Sequence, residues 1–295
     1  MHKWLAGLLL MCLGVTAQAS LQVVATTSAM GMLAQTVGGD AVTVRVLAPP
    51  DRDAHYLQAR PSMMAALRGA DLVVAVGADL EVGWLPAAIQ GAANPALNPG
   101  RPGYFEAAAQ VALIDVGGPA DRSLGDVHPA GNPHVNMDPV RMAEVAHALA
   151  ERLSLLVPED AARFRANAEA FADKVEARLP AWQARVSGAP GVVFYHKDAD
   201  YLVLRLGVPV LGYVEPVPGV PPTARHLRDL VRDLTGRDGI VIRAVHHAER
   251  GPRFVAQQLD WPLHALPLDP PLGADAEAYL ALIDQWVEAM AGNAR

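Results

Sequence analysis

The chain has 295 residues, with 24 Lys and Arg against 31 Asp and Glu, and aromatics make up only 5%. No basic stripe is present, which excludes a nucleic-acid binder, and so few aromatics argue against a sugar-stacking platform. The single cysteine, Cys12, lies in an N-terminal apolar run, so any metal further along must be held by imidazole and carboxylate.

In chain order, Met1-His2-Lys3 is a short basic start, Trp4 to Val15 is apolar, and Ala17-Gln18-Ala19 is a small-x-small signal before Ser20. This is the pattern of a secretory signal peptide cleaved after Ala19, and the run is too short for a stable membrane anchor. A lipoprotein needs a small residue before its cysteine, and Met11 is not small. Cleavage removes Lys3 and moves the formal balance from 24 − 31 = −7 to 23 − 31 = −8. About 275 residues remain, enough for two domains, in a chain expected in the periplasm.

Leu21 to Thr26 reads as a strand and Ser28 to Val37 as a helix, broken by Gly38-Gly39-Asp40. Val42 to Leu47 is a second strand, Pro49 to Asp53 a loop, Ser62 to Leu67 a helix. Asp71 to Val76 and Val111 to Val116 read as further strands. A Gly/Pro/Asp-rich loop covers 117–133, and Pro139 opens a helix to about Leu156. From Pro158 a long amphipathic stretch repeats apolar residues at Ala162, Phe164, Ala168, Phe171, Val175 and Leu179, reaching about Arg185. The alternation then restarts: strands at 192–195, 208–213, 239–245 and 263–268, helices at 199–206, 223–234, 252–259 and 274–291.

The expected fold is therefore α/β. Two similar lobes, 20–157 and 188–295, carry parallel sheets flanked by helices, and one long spine helix over 158–187 joins them.

His55 follows the second strand, His134 precedes a helix, His196 directly follows Tyr195, and Asp269 follows the strand ending at Leu268. Ligands of open parallel sheets bind outside the carboxyl ends of the strands, so these loops converge on the cleft between lobes. Three imidazoles and a carboxylate make a tetrahedral set at about 2.0–2.2 Å, which suits zinc; manganese takes more oxygen ligands. Each piece alone is weak. A lone loop histidine is more often a surface residue, Asp269 equally suits a cap of the turn before Pro270, and the spacing matches no compact zinc motif.

The segments Asp53-Ala54-His55-Tyr56 with Arg60-Pro61-Ser62, Ala70-Asp71-Leu72-Val73, Leu80-Glu81 with Trp84-Leu85, Asn132-Pro133-His134 with Asp138-Pro139, and Pro267-Leu268-Asp269-Pro270 occur in this order. Together they resemble the zinc/manganese cluster (A-I) of metal-binding substrate-binding proteins of ABC transporters, over essentially the whole mature chain. Ala54 and Asn136 depart from that family's proline and tryptophan. The resemblance implies His55, His134, His196 and Asp269 as metal ligands, zinc (Zn2+) as the ion with Mn2+ as the alternative, and delivery to a membrane ABC permease. It also implies a monomeric binding protein and not an enzyme. Nitrogen from His196, where manganese relatives use a carboxylate, favours zinc.

Three further positions are accessory. His128 stands in a loop much shorter than the His-rich loop of many zinc members, as a solvent histidine or a transient zinc-capture residue. Glu215, in a proline-rich segment running to Pro222, is a solvated carboxylate or a support for a ligand histidine. His246 and His247, read as neighbours on one strand, point to opposite faces, so at most one, His247, faces the cleft. Tyr195 reads as core. A periplasmic zinc chaperone or adhesin would use the same site. A zinc hydrolase would need a general base and an open metal position, and neither is evident.

Overall fold

The structure, a computed structural model, describes residues 20–117, 125 and 127–292; the signal-peptide reading of 1–19 lies outside them. The N-terminal sheet comprises β1 (Leu21–Ala25), β2 (Val42–Val46), β3 (Leu72–Ala75) and β4 (Tyr104–Glu106), in the order β2-β1-β3-β4. The C-terminal sheet comprises β5 (Val192–Phe194), β6 (Val210–Tyr213), β7 (Ile240–Ala244) and β8 (Leu263–Leu266), in the order β6-β5-β7-β8. All pairings are parallel. Helices cover both faces, so a central strand is apolar on both sides. Thus β3 shows no inward-outward alternation and is buried at every residue. In each sheet the order reverses beside the first strand, which opens a crevice at the carboxyl ends.

The helices start where side chains cap them. Thr27 accepts from Met30 at the head of α1 (Ser28–Gly38), and Asp138 from Val140 and Arg141 at α4 (Pro139–Leu156). Thr223 caps α7 (Ala224–Leu234) and Asp275 caps α9 (Ala276–Ala291). Between these lie α2 (Pro61–Arg68), α3 (Leu85–Ala92), α5 (Ala161–Arg185), α6 (Asp200–Leu206) and α8 (Arg250–Leu259). Among the described residues no helix is long and apolar enough to cross a membrane.

The long helix is α5, 25 residues and so roughly 38 Å long. It buries Phe164, Ala168, Phe171, Val175 and Trp182 and packs against α4, α1 and α9. Each buried Phe contributes about 1.5–3 kcal/mol. The core it covers is continuous across the molecule, running from Val23 and Met30 through Leu149 and Phe171 to Val192, Trp286 and Met290.

Two expectations need correction. Val111 to Val116 is not a strand but a loop: Ile114 N–H donates to the Tyr201 hydroxyl (3.2 Å), Ile114 C=O accepts from Asn132 N–H (2.8 Å), and Asp115 has φ 57°. Its backbone bonds go to neighbouring loops and to α6, not to a sheet. The fourth strand is instead Tyr104–Glu106, reached through α3, which carries Pro86 and Gly91 and so lacks a strong helical pattern. Gly91 lets α3 approach α2 closely: a Cβ there would lie 2.6 Å from Met64 Sδ, and the methionine side chain would have to shift. The second correction concerns His246 and His247. They lie not on β7 but in the turn after it.

Candidate metal centre

Each of the three histidines is fixed from behind. His55 sits in a single 3-10 turn, Ala54–Tyr56, which Asp53 caps. Asp53 Oδ1 accepts from both His55 N–H (2.9 Å) and His55 Nδ1 (2.7 Å), while Trp84 Nε1 donates to Ala54 C=O (2.8 Å) and ties the turn to the lobe. His134 follows Asn132, whose Oδ1 accepts from His134 N–H (2.9 Å) and whose Nδ2 donates to Lys197 C=O in the other lobe (2.9 Å). His196 lies two residues past the end of β5, and its Nδ1 donates to Glu215 Oε2 (2.9 Å). A carboxylate on Nδ1 leaves Nε2 as the metal-facing nitrogen of His55 and of His196, the arrangement common behind metal-bound imidazoles.

The three rings converge. All are buried, and one ligand atom from each lies within 4.8 Å of the others. Ring centroids are 5.3 Å (His55–His134), 5.9 Å (His55–His196) and 5.5 Å (His134–His196) apart. His134 Nε2 is buried with no hydrogen-bond partner among the described residues, a cost of about 1–3 kcal/mol that a bound cation removes. His55 and His134 border a cavity of about 30 Å³, together with Asp198 and Asp269. On its other side an opening of about 160 Å³ is lined by His128, His134, His196 and Lys197. Organic ligands occupy sites of about 300–1,000 Å³; this space suits an ion.

Charge is arranged accordingly. Burial, then the neighbouring imidazoles, pulls His134 well below its usual pKa, so it offers a neutral lone pair. Burial also pulls His196 down, but Asp198, Glu215 and Asp53 outweigh it and hold the imidazolium up to about 9. Burial likewise acts to raise Asp53, yet its bonds to His55 win and keep it ionised far into acid. Asp198 is pushed up to about 7, chiefly by burial. Its Oδ1 lies 3.7 Å from His134 Nε2 and its Oδ2 3.7 Å from His247 Nδ1.

Asp269 lines the small cavity with His55 and His134 but is not within the convergent group of three. Its Oδ1 accepts from Ala29 N–H (2.9 Å) at the head of α1, and burial pushes it up to about 6. His128 reaches in from the opening: its Nε2 is 3.2 Å from His55 Nε2 and its Nδ1 3.1 Å from Ala78 C=O. His247 stacks on Tyr195 (4.4 Å, 23°) and belongs to a different group, with Asp53 and His246. Tyr195 packs in the core of its lobe. Asp198 and the role of Asp53 escape the reading of the sequence. The available signal is spacing: each carboxylate is two residues from a candidate ligand, the separation that brings side chains to one face of extended chain.

A family model described as zinc-uptake complex component A, periplasmic (ZnuA), matches residues 23–293. The zinc-binding lipoprotein AdcA of Streptococcus pneumoniae serotype 4 is 24% identical over 220 residues, covering 72% of this chain and 43% of the relative. The iron-binding protein YfeA of Yersinia pestis is 25% identical over 223 residues, covering 72% and 66%. This chain thus spans less than half of the first relative's length. Among solved structures, a crystal structure of ZnuA superposes with a TM-score of 0.74 at 20% identity, over 92% of this chain and 100% of that one. FpvC from Pseudomonas aeruginosa, in complex with Mn2+, gives 0.75 at 20% identity, over 92% and 97%. At such identities the structural likeness is one of fold.

Proposed function

We propose, from the premise that the chain belongs to the zinc-uptake complex component A (ZnuA) family of metal-binding solute-binding proteins, that it captures zinc in the periplasm and hands it to an ABC permease. The observation that carries this reading is the convergence of three buried imidazoles, one of them with an orphaned nitrogen, on a space sized for an ion. In this reading His55, His134 and His196 ligate through nitrogen, and Asp269 supplies the fourth ligand through Oδ2 while Oδ1 stays on Ala29. Glu215 holds the ring of His196. His128 meets the ion at the opening and passes it inward. Three nitrogens and one oxygen favour zinc over manganese. Relatives with names or bound ions pointing to iron and manganese make metal identity the point to test.

The protein acts as a monomer exported by a signal peptide cleaved after Ala19, and the site binds cargo without turning over a substrate. A competition titration with zinc and manganese on the metal-free mature chain tests this. Zinc is expected to win, and H55A and H196A each to lose at least about tenfold in zinc affinity. Manganese winning overturns the metal assignment; either variant binding within about twofold of the parent overturns the site.

A further inference from the structure

Asp53, His246 and His247 form a second group in which a carboxylate oxygen and two imidazole nitrogens lie within 4.8 Å of one another. The group spans the lobes: Asp53 comes from the loop after β2, the histidines from the turn after β7. That turn is built to present both rings. Arg243 Nη1 donates to the carbonyls of Ala244 (3.0 Å), Val245 (3.2 Å) and His247 (2.9 Å), folding the chain back so that adjacent rings lie 4.5 Å apart. Stacking on Tyr195 fixes the His247 ring. His246 Nδ1 is buried with no hydrogen-bond partner among the described residues. Both bonds from Asp53 to His55 use Oδ1, which leaves Oδ2 to a cation.

Position gives the group a use. Asp53 and His246 line the small cavity behind the histidine triad, and both also line a groove of about 780 Å³ open to solvent, together with Arg52 and Tyr56. They form the wall between that groove and the triad, on the side away from His128.

We propose that Asp53, His246 and His247 constitute a second divalent-metal site, distinct from the triad and placed on a second approach to the cleft, from the open groove and not from the opening at His128. Two imidazoles and one carboxylate are ligands zinc accepts. The site has one ligand fewer than the four-ligand centre, and Arg52 and Arg243 stand nearby, so it is the weaker of the two. The site itself does not depend on the zinc-capture reading; only its role in feeding the triad rests on it.

The test is a zinc titration of the metal-free mature chain, with bound equivalents counted by equilibrium dialysis and elemental analysis, for the parent, H246A and H134A. The parent is expected to bind one tight and one weaker equivalent. H246A loses the weaker equivalent and keeps the tight one, whereas H134A loses the tight one. Far-ultraviolet circular dichroism establishes that each variant folds, and H246Q provides a second substitution of similar size. A parent that binds a single equivalent lost in H134A, or a folded H246A and H246Q that both retain two, overturns the second site and leaves the triad reading standing. A single weak equivalent lost in H246A supports the second site and overturns the triad.

Discussion

Replacing Glu215 with glutamine separates two contributions of one carboxylate. Glu215 Oε2 accepts from His196 Nδ1 at 2.9 Å and from Gly219 N–H at 3.2 Å. In the metal-free protein His196 is held protonated up to about 9, so zinc must expel that proton. The sign follows: apparent affinity rises with pH up to about 9 and levels off above it. At pH 7, below that value, displacing the proton lowers the apparent affinity by up to roughly a hundredfold. Glutamine keeps an oxygen for Nδ1–H but removes the charge. Loss of such a partner weakens metal binding about 10- to 100-fold, or about 1.4–2.8 kcal/mol. The same change lets the His196 proton leave more easily, which offsets part of the loss at pH 7 and none of it above 9. The variant is therefore expected to bind about tenfold or less below the parent at pH 7, with the deficit growing toward pH 9. A fluorescent-chelator competition across this range, with calorimetry in two buffers of different ionisation enthalpy to count released protons, measures both effects. Parent-like affinity at every pH with unchanged proton release refutes the control of His196 by Glu215.

Three other perturbations follow from the structure. D269A removes the proposed fourth ligand and is expected to lower zinc affinity at least about tenfold; D269N, which keeps an oxygen for Ala29 N–H, separates loss of the charge from loss of the α1 contact in the same titration. D138N acts on stability. Asp138 is fully buried, bonds Arg141 and Arg205 (2.9 Å to Nη2), and caps α4, so urea unfolding is expected to show a loss of about 3 kcal/mol. F171A empties the centre of the spine contact with α9 and is expected to cost about 3–5 kcal/mol in the same experiment, with a zinc affinity little changed because Phe171 lines neither space at the triad.

Much of the fold was legible because its elements obey one period each. Phe164, Ala168, Phe171 and Val175 mark α5 by helical spacing, and strands such as Leu72–Ala75 are continuous apolar runs between turn residues. What failed was where local pattern and tertiary bonding part. Val111–Val116 looks like a strand, but its backbone is claimed by Tyr201 and Asn132 from outside any sheet. Tyr104–Glu106 is too short to announce itself. His246 and His247 defeat the alternation rule because Arg243, three residues before the first of them, gathers three carbonyls and makes a turn. The three histidines stand after strands and before a helix, and Glu215 was legible as a support for a ligand histidine, yet only folding brings Asp53 and Asp198 around them and seats Glu215 on His196. Asp198 illustrates the limit: its meaning comes from lying 3.7 Å from both His134 and His247, one from each lobe.

Rigidity connects the fold to the choice of ion. The lobes share one core, and polar bonds cross between them beside the triad. Asn136 Nδ2 donates to Leu268 C=O (2.9 Å), Tyr279 Oη to Asn136 C=O (2.8 Å), Ser28 Oγ to Pro270 C=O (2.6 Å), and Tyr201 Oη to Asn132 C=O (2.7 Å). Each is buried, so opening the lobes as rigid bodies costs about 1–3 kcal/mol for every group left unpaired. His134 lies between Asn132 and Asn136 and is held on both sides. His55 and Glu215 differ: the first stands in a short turn tied back by Trp84, the second precedes a loop of four prolines over 216–222, and neither takes part in those four inter-lobe bonds. Movement of these two loops changes the triad without breaking the inter-lobe bonds. In the proposed zinc site, a frame that fixes His134 while His55 and the support of His196 ride on loops would hold a small tetrahedral ion closely, and movement of those loops would open the triad with the four inter-lobe bonds intact.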